Sequence, residues 1–181
     1  MIKNTLQNVN GVLLLDKPSG ISSNKALMKV KKIFNARKAG HAGTLDPIAT
    51  GILPIMFGEA TKYATFGLNS YKKYEATLFL GVKTSTGDSE GQIIKRKSFQ
   101  SDVSKVKSVL KSFLGEQMQI PPMFSALKFN GKPLYKYARD GLVIDRKPRQ
   151  VMIEEIKFIS LKKQILVIEI ICSKGTYIRT L

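Results

Sequence analysis

Asp46 is the residue of this chain best placed to do chemistry. It stands in Lys38-Ala-Gly-His-Ala-Gly-Thr-Leu-Asp-Pro-Ile-Ala-Thr-Gly-Ile-Leu-Pro54, a run that also carries Gly40, Gly43, Gly51 and the only histidine, His41. Glycine admits backbone shapes closed to other residues, and Pro47 fixes its own φ while steering Asp46 out of the helical region. A shaped loop is therefore expected over 38–54, presenting one carboxylate at a fixed angle. A carboxylate nucleophile must be ionised and aligned. Arg179 is the candidate partner, because a guanidinium favours the charged form and matches carboxylate geometry. Taken singly, Asp-Pro is an ordinary turn step and Arg179 an ordinary phosphate or surface contact. The sequence does not show that the two meet.

Other catalytic sets are missing. His41 and the single cysteine, Cys172, lie far apart in sequence, which makes a Cys-His pair a weak candidate. No phosphate-binding P-loop, no Gly-x-Gly-x-x-Gly opening a helix and no His/Cys metal cluster occurs. One cysteine excludes a disulfide framework and fits a reducing, cytoplasmic setting. No metal and no cofactor is expected.

The elements that must position these residues are legible in outline. Residues 1–10 are polar and expected to be loose. Gly11–Asp16 reads as a buried strand ended by Lys17-Pro-Ser-Gly20, and Ser22 or Ser23 caps a helix running to Phe34, with Leu27, Val30, Ile33 and Phe34 at helical spacing. A short helix is expected from Gly58 to Phe66, with Gly67 at its C-terminus. Tyr71–Leu80 is a strand whose period of two sets Tyr74 on the core-facing side with Ala76, Leu78 and Leu80. Thr84–Gly91, which contains Asp88, is a loop, followed by a strand near Gln92–Lys95. A helix spans Asp102–Leu114 and stops at Gly115. Ser125–Phe129 reads as a strand before the Asn130-Gly131 hairpin signal, and 134–139 as a short helix. Gln150–Leu161 and Gln164–Ser173 form an antiparallel pair. Helices and strands mix without strict βαβ alternation, so the class is α+β.

The chain is 181 residues long and 43% hydrophobic, enough for one domain or a little more with a real core. Thirty Lys+Arg against 13 Asp+Glu give a net charge of +17. That excess favours a polyanion, nucleic acid before membrane. Of the thirty, 24 are Lys, which act as point charges rather than bidentate readers. No apolar run approaches the length of a signal-peptide core or a bilayer span, so no membrane association is expected.

Several strings, in one order, resemble the TruB family, the tRNA pseudouridine synthases that act in the TΨC arm. They are Gly11–Ser23, Gly40–Pro54, Gly58-Glu-Ala-Thr-Lys62, Lys73-Tyr74-Glu, Asp88-Ser-Glu-Gly91, Pro121–Lys128 and Cys172–Thr180. The resemblance implies a pseudouridine-synthase-like catalytic domain, with a mixed, largely antiparallel central sheet flanked by helices. It implies that Asp46 attacks the target uridine, at sugar C1′ or at the uracil ring. Tyr74 would stack on the base and help remove the C5 proton, and Arg179 would pair with the aspartate. His41 matches a histidine that contacts RNA and helps displace stacked T-loop bases. Lys17, Lys62, Asp88 and Tyr177 sit in matching motifs, as substrate contacts or site support. The implied reaction converts uridine to pseudouridine at position 55 of tRNA, in the cytoplasm, by a monomer with no obligate protein partner. The RNA partner would be the T-arm stem-loop, its target base taken out of the stack.

Family members continue past the Arg179-Thr-Leu181 position. The expectation is therefore a catalytic domain over 1–181, C-terminally incomplete and without the C-terminal RNA-binding domain. Two other readings compete: a non-catalytic tRNA-binding or RNA-folding protein on the same fold, and a related synthase working within a guide-RNA complex. The Gly40-His-Ala-Gly-Thr-Leu-Asp-Pro47 string is of the bacterial type and disfavours the latter.

Overall fold

The apolar run after Gly11 forms strand β1 (Gly11–Lys17), and Ser22 caps helix α1 (Ser23–Ile33), its hydroxyl accepting from Lys25 N at 3.2 Å. Strands β2 (Ala39–His41) and β3 (Gly51–Phe57) follow, and the sheet order is β1-β3-β2, antiparallel throughout. Ala26, Leu27 and Val30 of α1 bury against Leu53, Ile55 and Phe57 of β3, with Leu13 and Leu15 of β1 at the margin. Each fully buried aliphatic side chain here contributes about 1.5–3 kcal/mol. A 3₁₀ helix (Gly58–Tyr63) and helix α2 (Ala64–Asn69) complete this part. The computed structural model describes residues 5–100 and 102–181, and the chain divides between Ser70 and Tyr71 into two compact units.

The second unit is built on a four-stranded antiparallel sheet. Strand β4 (Lys72–Phe79) is followed by the hairpin β5 (Val82–Thr84) and β6 (Ile93–Arg96). Helix α3 (Val103–Lys111) is capped by Asp102, whose carboxylate accepts from Lys105 N at 2.9 Å. Then come β7 (Gly115–Gln119), the small hairpin β8 (Lys128–Phe129) and β9 (Lys132–Pro133), helix α4 (Leu134–Arg139), and the long pair β10 (Arg149–Lys162) and β11 (Ile165–Cys172). The main sheet runs β4-β11-β10-β7. One face carries the core: Ile153, Leu166, Ile168, Ile170 and Cys172, with Val106 of α3 against them and Tyr74, Ala76 and Leu78 alongside. The class is α+β.

Several boundaries differ from expectation, each for a local reason. The 38–54 loop shrinks to 42–50, because β2 occupies its start and β3 its end. Pro54 conceals β3, since proline is rare in a central strand. Its carbonyl accepts from Ala42 N at 3.0 Å, just where pairing with β2 ends at His41. Gly67 lies inside α2 rather than at its end. A Cβ there would stand 2.9 Å from the Ala42 Cβ, so the glycine lets the helix approach the loop. Gly115 does more than end a helix: it opens β7, an edge strand too polar to be read from its pattern. The strand expected over 125–129 is reduced to Lys128–Phe129. Ser125 and Leu127 turn their carbonyls to Tyr135 N and Leu134 N instead. Of the residues expected to be loose, Met1–Asn4 lie outside the described residues. Gln7 is held in a parallel bridge to Ala36, donating to Asn35 O at 2.7 Å and accepting from Arg37 N at 2.9 Å.

Candidate active site

The eight candidate residues fall four to each unit. In the first, Lys17, His41, Asp46 and Lys62 surround or flank the 42–50 loop. The β1–α1 turn grips this loop on both sides of Asp46. On one side, Ser23 Oγ accepts from Leu45 N at 2.9 Å and donates to Leu45 O at 3.0 Å. On the other, Gly20 N donates to Pro47 O at 2.8 Å, and Ser19 Oγ to Ile48 O at 3.1 Å. Asp46 O closes the turn by accepting from Ala49 N at 3.1 Å. Residues 17–23 and 42–50, far apart in sequence, thus form one rigid cradle that presents the Asp46 side chain.

Lys17 is the centre of that cradle. Its side chain is wholly buried, and its ammonium donates to Pro18 O (2.8 Å), Ile21 O (2.9 Å) and Pro47 O (3.3 Å). Burial pushes its pKa below the ordinary value, and the Asp46 carboxylate pulls in the opposite direction. The ammonium is therefore close enough to Asp46 to feel its charge. Buried ammonium groups need all their donors satisfied, and here three carbonyls do so. His41 closes β2 opposite Ile55, and its Nδ1 is buried with no hydrogen-bond partner. Lys62 lies outside the cradle, exposed on the 3₁₀ helix and ion-paired with Glu59.

In the second unit, Asp88 pairs with Arg179, Tyr177 lies two residues before it, and Tyr74 stands on the sheet. Tyr74 lies on β4 opposite Ile170 of β11, on the core face as its alternation requires. The Arg179 side chain is 13% exposed and draws on two distant segments. Its NH2 donates to Phe124 O at 2.8 Å and its NH1 to Thr86 O at 3.3 Å, with the Asp88 carboxylate ion-paired at 3.5 Å. Asp88 is itself fixed, accepting from Thr86 Oγ1 at 2.5 Å and Glu90 N at 3.0 Å. The 84–91 loop lies directly on the arginine's backbone. A Cβ on Gly87, whose φ is +79°, would come within 3.2 Å of Arg179 O.

Sequence reasoning missed two positioning residues. One is Ser23, weighed only as a helix cap. The other is Gln119, the last residue of β7. Gln119 is buried, accepts from Tyr177 N at 2.8 Å and donates to Tyr177 O at 3.1 Å. It fixes the peptide two residues before Arg179. Its one sequence signal, a glutamine ending an edge strand just before Pro121-Pro122, is weak by itself. Among the described residues no group of three or more His, Cys, Asp or Glu is arranged to hold a metal ion. No helix among them is long and apolar enough to cross a membrane.

Residues 31–178 match the profile of the TruB family pseudouridylate synthase N-terminal domain. The chain belongs to the TruB family. TruB relatives include the tRNA pseudouridine synthase B of Buchnera aphidicola from Acyrthosiphon pisum, 55% identical over 175 residues. They also include that of Actinobacillus pleuropneumoniae, 51% identical over the same length. Both alignments cover 97% of this chain and 56% and 57% of the relatives, so the chain spans a little over half their length. Among solved structures, a Cbf5-Nop10-Gar1 complex aligns with a TM-score of 0.70 at 29% identity, covering 94% of this chain and 41% of the other.

Proposed function

We propose that this chain isomerises uridine to pseudouridine in the TΨC loop of tRNA, with Asp46 as the nucleophile. The observation that carries the reading is the cradle: Leu45 and Pro47, the residues on either side of Asp46, are both pinned by the β1–α1 turn, which fixes the backbone that bears its carboxylate. In the reaction the C1′–N1 bond breaks, the detached uracil turns, and a C1′–C5 bond forms. The C5 proton is lost and N1 ends protonated, so nothing is consumed and no cofactor is required. Whether Asp46 first attacks C1′ or the ring does not change that balance. Tyr74 would stack on the base and assist removal of the C5 proton, and Arg179 would pair with the carboxylate. Lys17 and Asp88 would act as supports, since each is engaged by its own unit. His41, Lys62 and Tyr177 would face RNA. His41 Nδ1, buried without a partner, has a hydrogen bond still to make.

The higher identity to bacterial synthase B enzymes than to the Cbf5 chain favours a stand-alone tRNA enzyme over a member of a guide-RNA complex. A charge of +17 opposes self-association and supports a monomer, and a single buried cysteine suits the cytoplasm. The test is pseudouridine formation in a T-arm stem-loop by the wild-type chain and by Asp46→Asn. Conversion should fall by about 10⁴-fold or more in the variant. Equal conversion by both would remove Asp46 from the mechanism. Tight binding without conversion by the wild type would leave an RNA-binding protein on a synthase fold.

A further inference from the structure

The four-stranded sheet ends, beyond Phe79 and at the β10–β11 turn, in a cluster of cations that the candidate site does not use. Lys83 of β5, Lys95 and Arg96 of β6, Lys97 just after it, and Lys162 and Lys163 of the turn are all exposed. Two backbone hydrogen bonds gather them: Leu80 N donates to Gln164 O and Lys97 N to Gly81 O, both at 2.8 Å. Between them lies a shallow depression of about 290 Å³ lined by Gly81, Val82, Arg96, Lys97, Ser98 and Gln164.

Some cations elsewhere in the protein are matched by acids. Lys62, Lys73, Lys132 and Arg179 each face a carboxylate. Among the described residues none of the six has an ion-pair partner. Lys83 stands directly opposite Lys95 in the β5–β6 ladder, and like charges so placed destabilise a hairpin. All four residues of β6 are exposed, so the hairpin has little core of its own to offset that cost. Charge concentrated against its own repulsion, around a polar depression, fits an anion. Six cations spread over two elements fit a row of phosphates better than a single small ion. Lysine reads such a row by charge, without base specificity. Tyr74 lies six positions before Leu80 along the strand, about 20 Å away at 3.4 Å per residue.

We propose that the β5–β6 hairpin and the β10–β11 turn form a second contact for the sugar–phosphate backbone of the RNA, away from the reacting base. It rests on the reading of RNA as substrate. The test measures Kd for full-length tRNA over a range of potassium chloride, for the wild type and three variants. Lys95→Gln/Arg96→Gln/Lys97→Gln removes three charges from the cluster. Lys95→Arg/Arg96→Lys/Lys97→Arg keeps them. Lys25→Gln/Lys29→Gln/Lys32→Gln removes three charges from the exposed face of α1. The first variant should lower the slope of log Kd against log salt by about 2–3, close to one for each phosphate it no longer neutralises. The charge-preserving variant should keep the wild-type slope, and the α1 variant should show a distinctly smaller drop. An unchanged slope in the first variant overturns the proposal. So does an equal drop in the α1 variant, which would mark a diffuse effect of net charge, or an equal drop in the charge-preserving variant. A wild type that binds with this slope but forms no pseudouridine removes the catalytic reading and leaves the surface standing.

Discussion

The two units hold their key side chains by different means. In the first, Asp46 is positioned through its neighbours: Leu45 on Ser23, Pro47 on Gly20 and on a buried lysine. In the second, Arg179 is gripped by its own guanidinium, through Phe124, Thr86 and Asp88, and its chain is set by the Gln119 clamp on Tyr177. The difference lies in which atoms are held. Around Asp46 it is the backbone on either side that takes the restraints. A guanidinium has five donors and can give several to its own protein while keeping a fixed orientation. Segments that look unrelated in sequence are thereby explained. Residues 17–23 are there for 42–50, and residues 84–91 and 121–125 are there for Arg179.

The sharpest way to break this comparison is Lys17→Met, which deletes the one charged pin of the first unit and keeps its bulk. Three carbonyls lose their donor, and unsatisfied buried acceptors should cost roughly 2–4 kcal/mol in total. Unfolding in urea should show that loss, and pseudouridine formation should fall with it because the loop is released. A variant of wild-type stability with a raised KM would instead make Lys17 a substrate contact and dissolve the cradle. Gln119→Leu tests the second unit in the same way, with a smaller effect. Two neutral hydrogen bonds to the backbone of one residue are removed, about 1–3 kcal/mol. The arginine keeps its direct partners, so kcat should fall more than KM rises. Unchanged kcat would leave the clamp a purely structural device.

Much of this was legible in the chain, and what was not has identifiable causes. Asp46 stood out because the glycines of its loop admit shapes closed to other residues while Pro47 fixes the backbone beside it. Tyr74 could be assigned a face because a strand has a period of two. The partners of Arg179 were hidden because they are mostly backbone carbonyls, as at Phe124 and Thr86, which carry no side-chain signature. Lys17 reads in the sequence as part of the turn after a strand; only the fold shows three carbonyls closing over it. β3 was hidden by Pro54 and β7 by its polarity, two cases where tertiary pairing overrides local pattern.

The smallest expected effect concerns pH, and its sign differs between Cys172 and Lys17. Burial raises the Cys172 thiol above its ordinary 9.0, while a hydrogen bond with Thr176 and nearby Lys72 pull it down. Below pH 9.0 the thiol is protonated whether the chain is folded or not. Above it the unfolded chain releases the proton and the folded chain retains it, so this contribution is lost as pH rises through the folded value. Lys17 acts in reverse. Its folded pKa lies below 10.5, so between that value and 10.5 the unfolded chain binds more protons and stability rises with pH. Lys72, also lowered by burial, has the same sign as Lys17 and acts beside Cys172. A single melting curve against pH therefore mixes opposed terms, and differences against variants isolate them. The stability of the wild type relative to Cys172→Val should decline above pH 9.0. Relative to Lys17→Met it should climb as pH approaches 10.5. Two differences of the same sign would mean that one of these groups is not buried as the fold places it. Alkylation of Cys172 by iodoacetamide, slow in the native chain near its ordinary pKa of 9.0 and fast in urea, would show which.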